Sequence, residues 1–231
     1  MMLALDSVRY DRGDWSLACS AIFGEGVHLI TGPVGCGKTT LACLAAGLIA
    51  PQSGEVRTTG IRSTALSFAF PEYHLTASSL SGEVRSWGLS PEAILGSIGM
   101  ERWADRDPLT LSRGELKRLE LACQLAGDHD LILLDEPFTS LDCSARRWAA
   151  DLIGTQRTSV VLVLTHEDEV LPRVDWIWEM EEGALTCVGA IPGAIPRWRF
   201  APRWLREAGG EPRNITVQDA EEARWRIRGS G

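Results

Sequence analysis

No apolar run in the sequence approaches the roughly 20 residues that a helix needs to cross a bilayer. Asp6 and Arg9 interrupt the opening stretch where a signal peptide would stay apolar. Neither a membrane-spanning chain nor one exported by such a peptide is expected. Lysine is scarce, with Lys38 and Lys117 the only two in 231 residues. The six cysteines (Cys19, Cys36, Cys43, Cys123, Cys143, Cys187) contain no CxxC pair and have no His cluster beside them, so neither a disulfide framework nor a zinc site is expected. The formal charge of −8 lacks the broad basic footprint of a nucleic-acid binder, and no nucleic-acid partner is expected. From residue 191 onward arginines exceed acids by +3, leaving −11 on the rest, an excess of the size that a solvated face carries. Internal repeats and low-complexity stretches are absent.

What is present is the composition of an ordinary globular protein, 45% hydrophobic and 23% charged. That length and composition suit one domain with a subdomain and a tail. Short aliphatic runs alternate with helical patterns: strands are expected at Val27 to Thr31, Ala65 to Phe70, Leu131 to Leu134 and Val160 to Leu164, and a helix over Thr39 to Ala50, stopped by Pro51. Between about Tyr73 and Asp107 the pattern turns polar and weakly helical, the mark of a small helical insertion. Asp175 to Met180 and Ala184 to Val188 read as a hairpin around Glu181, Glu182 and Gly183. Beyond Gly189, prolines at 192, 196, 202 and 212 mark a tail with short helices of its own.

Gly32-Pro33-Val34-Gly35-Cys36-Gly37-Lys38-Thr39 fits GxxxxGK[ST] between an expected strand and an expected helix. Glycines let successive N–H groups converge on phosphate oxygens, and the helix dipole adds to the attraction. In that setting Lys38 reaches the β- and γ-phosphates and Thr39 offers its hydroxyl to Mg²⁺. Downstream, Leu131-Ile132-Leu133-Leu134-Asp135-Glu136 is an aliphatic strand that ends in two acids. Asp135 is placed to hold Mg²⁺ and Glu136 to polarise the water that attacks a γ-phosphate. His166 ends the neighbouring strand at the same edge and suits contact with that phosphate or water.

Between the cradle and the acids lies Leu111-Ser112-Arg113-Gly114-Glu115, which resembles the LSGGQ signature of ATP-binding-cassette (ABC) ATPases. Pro51-Gln52-Ser53-Gly54-Glu55-Val56, the D-loop-like Ser140-Leu141-Asp142 and the switch-like Thr165-His166 extend the resemblance over nearly the whole chain. It implies an α/β fold of the P-loop NTPase type: a RecA-like, mostly parallel sheet with N-terminal antiparallel strands, a short helical subdomain and a short C-terminal tail. It further implies an ATPase domain over 1–190, with helical subdomain about 73–125, and a tail over 191–231 as a candidate shortened dimerisation segment. ATP would be held by Gly32, Pro33, Val34, Gly35, Cys36, Gly37, Lys38, Thr39 and Thr40, with Tyr10 stacked on adenine. Ser112, Gly114 and Asp142 would act in a head-to-tail dimer, formed with a second copy or a related ABC ATPase. Glu136 and His166 would be catalytic, and Thr39 and Asp135 would hold Mg²⁺. Integral membrane subunits would anchor such a protein at the cytoplasmic face of the membrane.

Within the family, Phe68-Ala69-Phe70-Pro71-Glu72-Tyr73-His74-Leu75 resembles the FQ-x-PE-x-QL segment of ATPases from energy-coupling-factor importers of vitamins or transition-metal ions. The sequence also departs from the family. Ala69 stands where the Q-loop glutamine is expected, leaving Glu72, His74 or a water to replace it, or hydrolysis slow. Arg113 replaces the first glycine of the signature pair, where its guanidinium could contact the phosphate. A soluble ABC switch and a weakly hydrolysing regulatory subunit are the alternative functions.

Overall fold

The aliphatic runs at Leu131–Asp135 (β6) and Val160–Thr165 (β7) are buried at every position, because helices and tail cover both faces of the sheet they centre. The computed structural model describes residues 1–208 and 211–229, with the backbone alone for 226–229. The tail positions Gly209, Gly210, Ser230 and Gly231 lie outside the described residues.

The other strands are Met2–Arg12 (β1), Trp15–Gly24 (β2), Gly26–Thr31 (β3), Ser53–Thr59 (β4), Thr64–Ser67 (β5), Trp176–Glu181 (β8) and Ala184–Ala190 (β9). The described strands form one sheet in the order β4-β1-β2-β9-β8-β3-β7-β6-β5. From β8 to β5 neighbouring strands run parallel, whereas β4-β1-β2 and β8-β9 are antiparallel. The hairpin expected at 175–188 is the β8-β9 pair. Parallel pairing places the C-terminal ends of β3, β6 and β7 at one edge, where ligands of open α/β sheets bind.

The helices are Lys38–Ala45 (α1), Leu80–Ser86 (α2), Pro91–Ser97 (α3), Arg113–Ala126 (α4), Cys143–Gly154 (α5), Arg203–Arg206 (α6) and Val217–Gly229 (α7). One core cluster joins α1 to the antiparallel strands and to β7 through Phe23, Leu41, Leu44 and Leu162. A second joins α5 to the other face through Ile132, Val161 and Ile153, and the tail enters it with Trp198, Leu205 and Ile215. A third belongs to α2, α3 and α4, through Leu80, Val84, Leu95 and Leu119.

Two elements are shorter than their sequence pattern indicates. Helix α1 stops at Ala45 rather than Ala50, because Gly47 takes a left-handed φ of 71°. Gly47 and Leu48 donate their N–H groups to the carbonyls of Leu44 and Cys43, which closes the helix before Pro51 is reached. Strand β5 stops at Ser67 rather than Phe70. The Phe68 carbonyl accepts from Lys117 Nζ at 2.6 Å and the Phe68 N–H donates to His74 Nε2 at 3.2 Å, so both backbone groups are taken by side chains.

Candidate active site

Residues 32–37 connect β3 to α1 at the C-terminal edge of the sheet. Gly37 has φ 113° and packs so closely on Trp15 that an added Cβ would come within 2.6 Å of its ring. Both the backbone angle and the contact require glycine there. Lys38, nearly buried, donates to the carbonyls of Gly32 at 2.9 Å and Pro33 at 3.2 Å, and lies 3.5 Å from Glu136 Oε1. Its ammonium is held over the loop by acceptors that an incoming phosphate can replace.

Strand β6 delivers the acids. Asp135 Oδ2 accepts from the Thr39 hydroxyl at 2.6 Å, while Oδ1 is buried with no protein partner. Burial pushes the Asp135 pKa up; the Thr39 bond and the charges of Lys38 and Lys117 pull against that shift. Glu136 adopts φ 51°, outside the range that a side chain of its kind favours, and its N–H donates to the Leu164 carbonyl at 2.8 Å. That left-handed turn presents the carboxylate to β7. Oε2 accepts from Thr165 Oγ1 at 2.9 Å and from the His166 N–H at 3.3 Å, and Oε1 lies 2.8 Å from His166 Nδ1. The two residues expected to be catalytic are therefore in direct contact.

These groups open into a cleft of about 400 Å³ lined by Arg12, Trp15, Val34, Gly35, Gly37, Lys38, Thr39, Thr40, Glu136 and His166. Tyr10 does not line it: half-buried on β1 opposite Leu17, it packs on the core instead. The aromatic at the cradle is Trp15, across the β1-β2 turn. The sequence pattern singled out neither Trp15 nor Arg12, whose only signal was proximity to Tyr10 in the chain.

Ser112, Gly114 and Asp142 also lie outside the cleft lining. Ser112 caps α4, its hydroxyl accepting from the Glu115 N–H at 3.3 Å while Glu115 Oε2 accepts from the Ser112 N–H at 2.8 Å. Gly114 packs on the Ser140 carbonyl so tightly that a Cβ would sit 2.6 Å from it. Asp142 caps α5, accepting from the Ala145 N–H at 2.8 Å. Arg113 does not point away from its own chain: its Nε donates to Glu72 Oε1 at 2.9 Å, and its guanidinium stands 5.8 Å over the Phe70 ring. Glu72 is thus engaged by Arg113, and His74 by Phe68.

The ABC transporter family model matches residues 21–139, more than half of the chain. Among curated proteins, the chain is 37% identical over 191 residues to an aliphatic sulfonates import ATP-binding protein of Nocardia farcinica, covering 79% of this chain and 78% of that protein. It is 32% identical over 199 residues to a sulfate/thiosulfate import ATP-binding protein of Pseudomonas aeruginosa, covering 74% and 60% respectively. Among solved structures, cbiO1 of Clostridium perfringens, part of an ABC transporter complex, superposes with TM-score 0.62 at 22% identity, covering 80% of this chain and 86% of that one. A dimeric bacterial ABC transporter cassette gives TM-score 0.63 at 22% identity, covering 79% and 96%.

Proposed function

This chain belongs to the ABC transporter family of ATP-binding, ATP-hydrolysing proteins, and from that membership we propose that it is the subunit that powers an importer. The observation that carries the reading is the cleft itself, where the Lys38 cradle, the Thr39–Asp135 pair and the Glu136–His166 pair meet at one sheet edge. Among the described residues no helix is long and apolar enough to cross a membrane. The import ATP-binding names of the relatives lead the reading to include integral membrane partners, with this chain at the cytoplasmic face.

In this reading the cradle N–H groups and Lys38 bind the phosphates, and Trp15 offers its ring to the base. Glu136 holds the attacking water and takes its proton, with His166 fixing the carboxylate through Oε1. The left-handed turn at Glu136 aims that carboxylate at the cleft. Thr39 and Asp135 suit Mg²⁺, a cation that takes oxygen ligands: the unpartnered buried Oδ1 of Asp135 is a ready ligand beside a hydroxyl. When bound there, the ion supplies positive charge to the phosphate oxygens.

A head-to-tail dimer, with a second copy or a related ATPase, would bring Ser112 and the N-terminus of α4 to the nucleotide of the partner. Residues 73–125 would form the helical subdomain that meets the membrane subunits. Two grounds bear on cargo. The names of the relatives favour importers of sulfonates or sulfate, and Phe68 to Leu75 favours the energy-coupling-factor type for vitamins or metal ions. Co-purification with a membrane subunit, followed by ATPase assays against each cargo class, separates these.

The test of the core reading is Glu136→Gln. Calorimetry should show magnesium-dependent ATP binding retained and turnover lowered by about 100-fold or more. Turnover at the wild-type level would remove Glu136 from the role of base. A wild-type chain that binds no ATP would overturn the whole proposal.

A further inference from the structure

The chain uses arginine almost everywhere that it needs a cation, yet its second lysine, Lys117, is completely buried. It sits on the first turns of α4, five residues beyond the Ser112 cap. An ammonium has three hydrogens to donate, and Lys117 Nζ has three oxygens around it: Ser67 Oγ at 2.7 Å, the Phe68 carbonyl at 2.6 Å and Glu120 Oε2 at 3.0 Å. A planar guanidinium could not converge on these three in the same way.

The contacts continue on the far side. His74 Nε2 accepts the Phe68 N–H, and Glu120 Oε1 lies 3.4 Å from that nitrogen without a hydrogen bond to it. Gln124, one turn further along α4 with its amide oxygen turned to the strand, accepts from the N–H groups of Ser67 at 3.1 Å and Leu66 at 3.3 Å. One face of α4 therefore grips the end of β5 by side chain and backbone. Register places Ser67, the last paired residue of β5, opposite Leu134, the residue before Asp135.

A buried ion pair adds little stability over apolar side chains of the same volume. What Lys117 and Glu120 supply is position: they fix the residue before Ala69 against the helix that begins at Ser112. Alanine at 69 has no polar atom with which to report on a bound phosphate. We infer that Lys117 is a positioning residue for ATP hydrolysis, the fixed strut that ties the strand end beside the catalytic acids to the signature helix, a link made from below because the side chain at 69 cannot make it. The inference rests on the ATP-hydrolysing reading given above.

The test uses the purified full chain and measures ATP affinity, kcat, KM and melting temperature together. Lys117→Met/Glu120→Leu removes both charges at once and leaves no orphaned ion in the core. The expected result is ATP affinity and KM within about twofold of wild type and kcat lowered by about tenfold or more, since small misplacements next to reacting groups cost rate rather than binding. Adding Ala69→Gln to the double variant should recover part of the lost rate. If the double variant does not fold, Lys117→Arg serves: it keeps the cation but not the two hydrogen bonds and the ion pair in their present arrangement, and kcat should fall at least about threefold at unchanged ATP affinity. An unchanged kcat in the folded variant, or a parallel fall of kcat, affinity and melting temperature, overturns the inference. Failure of the wild-type chain to bind ATP would instead overturn the reading on which it rests.

Discussion

Trp198 donates its indole N–H to Thr31 Oγ1 over 2.8 Å, with both residues buried. Thr31 is the last residue of β3, directly before the glycine-rich loop, so the tail is fastened to the base of the cleft. Trp204 Nε1 donates to the Asp168 carbonyl at 2.8 Å, two residues past His166. The Asn214 amide closes on Val174, accepting its N–H at 3.1 Å and donating to its carbonyl at 2.9 Å. The part of the tail described is built into the core of its own chain.

Trp198→Phe should therefore destabilise the protein by about 1–3 kcal/mol, through the lost indole volume and a buried hydroxyl left without its donor. Denaturant unfolding monitors it. Truncation after Ala190 should give an aggregated product, because the apolar surface under Trp198, Leu205 and Ile215 is laid open. A truncated chain with wild-type melting temperature would show the tail to be an independent appendage.

Arg113 is held by Glu72 and stands over Phe70 within its own chain. Arg113→Ala should leave ATP turnover within about threefold of wild type and, because the pair is exposed, change stability by no more than about 1 kcal/mol. A collapse of turnover by two orders of magnitude would mean that the guanidinium leaves Glu72 to contact phosphate.

Trp15 lines the cleft and Tyr10 does not. Trp15→Ala should weaken ATP binding by about tenfold, the loss expected for a ring stacked on a base, while Tyr10→Ala should change affinity by less than about threefold. Fluorescence titration with ATP checks both, and the reverse order of effects would restore Tyr10 as the stacking aromatic.

His28 is buried, its Nε2 2.9 Å from the Gly24 carbonyl and its Nδ1 accepting from Trp178 Nε1 at 3.2 Å. Burial lowers its pKa; the Gly24 bond and Asp175 oppose the shift only in part. Below the ordinary imidazole value near 6.5 the unfolded chain takes up a proton that the folded site resists, so His28 makes stability fall as pH drops from about 7 toward 5. His28→Gln should flatten that part of the dependence. Equal slopes for both proteins in urea titrations would show that His28 does not carry it.

The cradle and the acid strand were legible in the sequence because each is a local pattern: a glycine-rich turn between strand and helix, and an aliphatic run ending in two carboxylates. Lys117 illustrates the opposite case. In the sequence it is merely the second of two lysines, and its role depends on β5, fifty residues earlier in the chain. The end of β5 was misjudged for the same reason, since apolarity runs on to Phe70 while side chains from α4 and the turn at His74 stop the pairing at Ser67.

By itself, then, the order of residues determined the glycine-rich turn, the strand that ends in two acids and the alternation of strand and helix, since each depends on neighbours a few positions apart. Only the tertiary structure decided that Trp15 rather than Tyr10 faces the cleft, that Arg113 turns to Glu72, and that the tail closes on Thr31. Those choices are made by side chains that meet across sheet and helix, where separation along the chain carries no information about separation in space.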